Sequence, residues 1–161
     1  GALDAMCKAA GTRIAHVKPH GALYTTIAHH EAQAAAVVAA VRAFDPDLPI
    51  LGLPGSTVLA AAEASGLRGV AEAFADRAYT PAGALLPRRE PGAVIHDPQA
   101  VVARAVRLAT DATVIAIDGS VVAVEAASLC VHGDTPGAAQ LASAVAEGLR
   151  AAGVPLASFV S

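Results

Sequence analysis

Residues 50–75, ILGLPGSTVLAAAEASGLRGVAEAFA, constrain the fold of this chain of 161 residues more than any other part. They read as a short apolar run, a Pro-Gly-Ser turn, an alanine-rich helix stopped by Gly66, and a second apolar run. Strand, helix and strand in so short a span make a βαβ unit, with parallel strands and a right-handed crossover. The order repeats along the chain. GALDAMCKAAG is a helix ending at Gly11, and TRIAHV is the strand after it. A helix follows from about His29 to Ala43, then the strand ILGL (Ile50 to Leu53), then a helix with Ser56 as N-cap. GVAEAFA (Gly69 to Ala75) is the next strand, and the polar loop DRAYTPAGALLPRREPGAVIHD follows it. Asp97 as N-cap with Pro98 at the first helical position opens QAVVARAVRLA. In TVIAIDGSVVAVEA, Asp118-Gly119 between β-branched runs predicts a hairpin with a type I′ turn. SLCVHG is a further strand. The last helix is capped by Asp134 or Thr135 with Pro136 at its first position, and VPLASF ends the chain as a short strand.

The fold class expected is therefore α/β, mainly parallel, with the hairpin as an inserted decoration. Composition agrees: 55% of residues are hydrophobic and 16% charged, which excludes a disordered chain and supplies a packed interior. A net charge of -3, with 3% aromatics, offers neither the basic stripe nor the stacking platforms of a nucleic-acid binder. No apolar run is long enough to span a bilayer. Cys7 and Cys130 lack metal spacing and read as reduced thiols of a cytoplasmic protein. No second domain or linker interrupts residues 1–161. The chain opens inside a helix without an initiating methionine, as though it began within a larger protein.

In parallel βα folds, chemistry collects where strands end. TRIAHV runs into Lys18, His20 and Tyr24. GVAEAFA carries Glu72 and runs into Asp76 and Arg77, and SLCVHG runs into His132, Gly133 and Asp134. Pro19 and Gly21 frame His20 so that the backbone presents it. Each residue also has a duller reading. His16 suits a structural role, Lys18 a solvated surface, Asp76-Arg77 an internal pair, and Asp134 a helix cap. His29, His30 and His96 read as solvent-facing or capping. LPGS at a helix start suits an anion but equally an ordinary turn. The chain has no HExxH, no CxxC pair and no GxxxxGK[ST] loop.

Three stretches, HVKPHGALY, EAFADRAYTPAGALLPRREPGAVI and SLCVHGDTPGA, in this order and with the VIAIDGSVV hairpin between the last two, resemble the LamB/YcsF family, whose members are also called the A subunit of 5-oxoprolinase. The resemblance spans essentially the whole chain, as the C-terminal two thirds of a family member. The family's N-terminal DLNCDxGE and HAGD patterns are absent here. The resemblance implies a single domain over 1–161 that lacks its N-terminal segment. It implies part of a distorted (β/α) barrel of the glycoside hydrolase and deacetylase type. With its first strands missing, the TRIAHV strand would be an open edge and a route to self-association.

The activity implied is ATP-dependent opening of the 5-oxo-L-proline lactam to L-glutamate, with partner subunits B and C. A lactam is a poor electrophile, and phosphorylating its oxygen prepares it for attack by water. Such a site needs cations for carboxylate and phosphoryl oxygens and an acid/base pair. Lys18, Arg77 and Tyr24 suit the first task; His20, Asp76 and His132 suit the second. Two rivals stand beside this reading. One is a divalent-metal hydrolase of deacetylase type, with His20, His132 and Asp76 or Asp134 as ligands. The other is a truncated subunit that binds without turnover. Convergence of Lys18, His20, Asp76 and His132 on one rim is the structural expectation.

Overall fold

A computed structural model describes residues 1–134 and 137–160. The chain forms two compact units, Gly1–Ala71 with Phe159–Ser161, and Glu72–Ser158.

In the first unit, α1 (Ala2–Ala9) ends before Gly11, whose φ of +68° only glycine takes readily. The expected strand TRIAHV does not form. Only Val17 pairs, parallel to Ile50, its N–H donating to the Pro49 carbonyl at 2.9 Å and its carbonyl accepting from Leu51 at 2.9 Å. Arg13, Ala15 and His16 are exposed, so the segment lacks the burial that would extend the ladder. The segment after it is half helical: α2 (Gly21–Thr26) starts directly at GALY. Next, α3 (Glu31–Phe44) is capped by His30, whose Nδ1 accepts from the Gln33 N–H at 3.3 Å. The strand β1 (Ile50–Gly52), the helix α4 (Thr57–Ala64) and the start of β2 (Gly69–Phe74) complete the predicted βαβ unit, with Ile50 opposite Gly69 in parallel register. The core is built from Val38 and Val41 of α3, Ile50 of β1, Val58 and Ala62 of α4, and Ile27. Gly52 is required by close approach, since a Cβ there would lie 2.8 Å from Val58 Cγ1.

The second unit takes the end of β2 and pairs it with β5 (Ser128–Cys130), again in parallel, Glu72 opposite Ser128 and Phe74 opposite Cys130. Between them, α5 (Pro98–Asp111) begins as the sequence predicts, the Asp97 carboxylate accepting from the Gln99 N–H at 3.1 Å. It ends at Ala112, a non-glycine residue at φ +51°. The hairpin β3 (Thr113–Ile115) and β4 (Val121–Ala123) is antiparallel as expected. Its turn is not type I′, which needs positive φ at both central residues. Among the turn residues only Gly119 has positive φ, at +88°, and the loop is closed by Ala116 N–H to Ser120 O at 2.8 Å. Asp118 keeps negative φ because its carboxylate accepts from Ser120 N and Oγ, at 3.0 and 2.7 Å.

The last helix, α6 (Ala138–Ala151), has Gly137 as N-cap. Of the two expected caps, Asp134 is not the N-cap of this helix, and Thr135 with Pro136 behind it lies outside the described residues. VPLASF is not a strand: no ladder partner reaches it among the described residues. α6 packs on α5 through Val101, Ala105, Val145 and Leu149. Their crossing is tight at Gly148, where a Cβ would stand 2.5 Å from Val102 Cγ1.

Candidate functional site

The parallel register of β2 and β5 builds the site. Phe74 faces Cys130, so two residues further along each chain Asp76 faces His132. The contact is direct. The Asp76 carboxylate accepts the His132 backbone N–H at 2.9 Å, and His132 Nδ1 lies 2.9 Å from both carboxylate oxygens. Asp76 is 2% exposed. An ionised carboxylate only accepts, so Nδ1 carries the hydrogen and Nε2 is left with its lone pair when the ring is neutral. The His132 side chain keeps 23% of its surface open. Nε2 has no hydrogen-bond partner among the described residues. On one side the ring stacks on Phe74, with centroids 5.6 Å apart and planes 25° from parallel. Carboxylate, backbone and aromatic face thus hold one imidazole in one orientation and one tautomer. That is the arrangement of a general base or acid whose working atom is Nε2.

Two further residues shape this end of the sheet. Beyond the last β1 pair, the Phe74 N–H finds its acceptor in the Tyr79 hydroxyl at 2.8 Å. Tyr79 is fully buried, and burial pushes its phenol up to about 12. Arg77, also buried, donates from Nε to the Ala93 carbonyl at 3.2 Å and from Nη2 to the Leu86 carbonyl. Burial lowers its pKa from the ordinary guanidinium value. Its bonds tie the 78–95 loop to the strand end, reinforced by the Ile95 N–H on the Asp76 carbonyl at 2.9 Å. Asp134 pairs with Arg88 at 3.0 Å, and this bond holds its carboxyl below the usual range.

Lys18, His20 and Tyr24 belong to the first unit. His20 is exposed and serves as the N-cap residue of α2 without a side-chain cap bond, and Gly21 after it takes φ +59°. Lys18 Nζ lies 5.9 Å from the centroid of the Tyr24 ring, and Tyr24 is buried. His16 meets Phe159 edge-on with centroids 5.4 Å apart, in keeping with a structural role. The anion reading of LPGS fails. The first N–H groups of α4, on Thr57 and Val58, are already bonded to the carbonyls of Ala28 and Ile27 at 3.0 and 3.1 Å.

Among the described residues no group of three or more His, Cys, Asp and Glu side chains comes together to hold a metal. The Asp134 carboxylate is bonded to Arg88, whereas the Asp76 carboxylate on His132 Nδ1 leaves Nε2 of that ring open. The pattern of the sequence does not single out Phe74 or Tyr79, and their one signal is rarity, in a chain with 3 phenylalanines and 2 tyrosines.

The sequence of this chain matches the LamB/YcsF family model over residues 1–161. It is 62% identical over 159 residues to the A subunit of 5-oxoprolinase from Kocuria rhizophila, covering 99% of this chain and 63% of that protein. The Streptomyces avermitilis protein of the same name is 57% identical over 159 residues, covering 99% of this chain and 64% of its own length. The crystal structure of lactam utilization protein from Thermus thermophilus superposes with a TM-score of 0.90 at 46% identity, over 99% of this chain and 63% of that one. The chain therefore spans somewhat less than two thirds of these relatives. Its parallel βα units with an antiparallel hairpin are consistent with a distorted (β/α) barrel, in line with the structural match to the Thermus protein. On sequence and on structure together, this chain belongs to the LamB/YcsF family.

Proposed function

We propose that this chain belongs to the A subunit of an ATP-dependent 5-oxoprolinase, which opens the lactam of 5-oxo-L-proline to L-glutamate together with partner subunits B and C. The names of its relatives support the reaction. The observation that carries the chemistry is the buried Asp76 carboxylate locked onto His132 Nδ1. In this reading His132 Nε2 takes a proton from the attacking water and returns one to the ring nitrogen as the C–N bond breaks. Asp76 holds the tautomer and stabilises the imidazolium formed in between. The γ-phosphoryl of ATP passes to the amide oxygen with release of ADP, one water adds to the activated carbon as the ring opens, and a second water frees the phosphoryl group as phosphate, so that one lactam, one ATP and two waters give glutamate, ADP and phosphate. Lys18 and Tyr24 are assigned to substrate carboxylate or phosphoryl oxygens, His20 to a second acid–base role, and Arg77 to holding the 78–95 loop at the strand end. Cys7 and Cys130 are not in a disulfide, which suits a cytoplasmic setting.

The test is a full-length A subunit carrying His132→Asn, assembled with B and C, with glutamate and ADP as readouts. Loss of a general base lowers turnover by about 10²–10⁴-fold, with binding of oxoproline retained. The same assembly with His20→Ala loses turnover while its stability changes by no more than about 0.5 kcal/mol, as for exposed positions. Wild-type rates in the His132→Asn assembly would remove the dyad from the reaction.

A further inference from the structure

The outer face of α5 and the start of the hairpin enclose a second concavity of about 430 Å³. None of its lining residues is Asp76, Arg77 or His132. Arg104 and Arg107, one turn apart on α5, line it together with Ala103, Thr110, Asp111 and Ile115. We propose that this concavity is a binding site for a small oxyanion, a carboxylate or a phosphoryl group, held by the Arg104 and Arg107 guanidiniums.

Arg104 is a cation with no carboxylate bonded to it among the described residues. Arg104 donates one bond, from Nη2 to the Ile115 carbonyl at 3.3 Å. Its Nη1 is buried and has no hydrogen-bond partner among the described residues. Burial lowers its pKa from the ordinary value, and the group that acts against this is the Tyr79 phenol rather than a carboxylate. The Arg104 guanidinium is half-buried, and an oxyanion in the concavity can accept paired N–H bonds from its planar fork. Arg107 uses Nε on the Thr113 hydroxyl at 2.9 Å, which fixes its plane and leaves its two terminal nitrogens for a ligand. The Asp111 carboxylate in the lining is engaged by the Thr110 hydroxyl at 2.8 Å rather than by either arginine. The volume suits a small metabolite rather than a polymer segment.

The experiment is a thermal-melt titration of this chain with inorganic phosphate and, separately, with glutarate, each against sodium chloride at matched ionic strength. Wild type, Arg104→Met and Arg107→Met are compared. Methionine keeps an apolar stem of similar reach, and Arg104→Met removes an unpaired cation, so both variants are expected to fold; circular dichroism checks this. The expected result is a saturable rise in wild-type melting temperature with at least one anion, and an apparent Kd weakened at least tenfold in each variant. A rise with phosphate alone assigns a phosphoryl group, and with glutarate alone a carboxylate. No rise beyond chloride with either anion, or equal rises in all three proteins, overturns the site.

Discussion

At the residue scale, the site depends on a few buried polar groups, each held by one or two short hydrogen bonds. Tyr79 is the clearest. Its hydroxyl accepts the Phe74 N–H, and Phe74 is the ring on which His132 stacks. Near neutral pH, Tyr79→Phe leaves that buried N–H unpaired, at a cost of about 1–3 kcal/mol. The alkaline behaviour has the opposite sign. Folded Tyr79 titrates at about 12 against 10.0 when unfolded, so between those values the folded chain binds the extra proton and stability falls as pH rises. That difference corresponds to about 3 kcal/mol. Urea melts of wild type and Tyr79→Phe should therefore differ at pH 8 and converge toward pH 12; a constant gap would refute the buried, neutral phenol. Sequence reading finds Asp76 and His132 because each follows a strand. It does not find Phe74 or Tyr79, whose roles come from where β1 stops pairing with β2. That endpoint is set by packing and leaves no mark in the local sequence.

At the element scale, the helices are the legible part. Asp97-Pro98 and Gly66 mark ends that the chain respects, and alternation of apolar runs with alanine-rich helices conveys the parallel βα order. TRIAHV and VPLASF mislead because β-branched residues there meet too little burial to form a ladder, and strand propensity is largely a statement about packing. The hairpin is found and its turn misassigned, since Asp118 has a local partner in Ser120. Gly148 is an element-scale constraint that composition hides. In an exposed helix, glycine to alanine gains about 1 kcal/mol. Here the added methyl meets Val102, and overpacking of about 1–3 kcal/mol outweighs that gain. Gly148→Ala is expected to lower the melting temperature; an increase would mean that α5 and α6 do not cross so closely.

At the scale of the whole molecule, each unit carries its own apolar core, one around Ile50 and Val58, the other around Val101 and Val145. The strand β2 contributes its first residues to one and its last to the other. The βα alternation conveys this layout in outline, but the division within β2 follows from which of its residues each neighbouring strand reaches. The bond that joins Asp76 to His132 spans 56 positions of sequence, whereas the hairpin closes over a short turn. Local turns close in microseconds, and long-range parallel pairing waits for the loop entropy to be overcome. The imidazole clamp is therefore a late arrival in refolding, and the His132 Nδ1 proton is a reporter of its completion. In a refolding time course followed by NMR, its signal is expected to appear with the slowest phase, after the Ala116 to Ser120 turn amides are protected. A clamp present before those amides would reverse that order. A chain stalled short of the native state would then look well structured by helix content and still lack the oriented imidazole at this strand end.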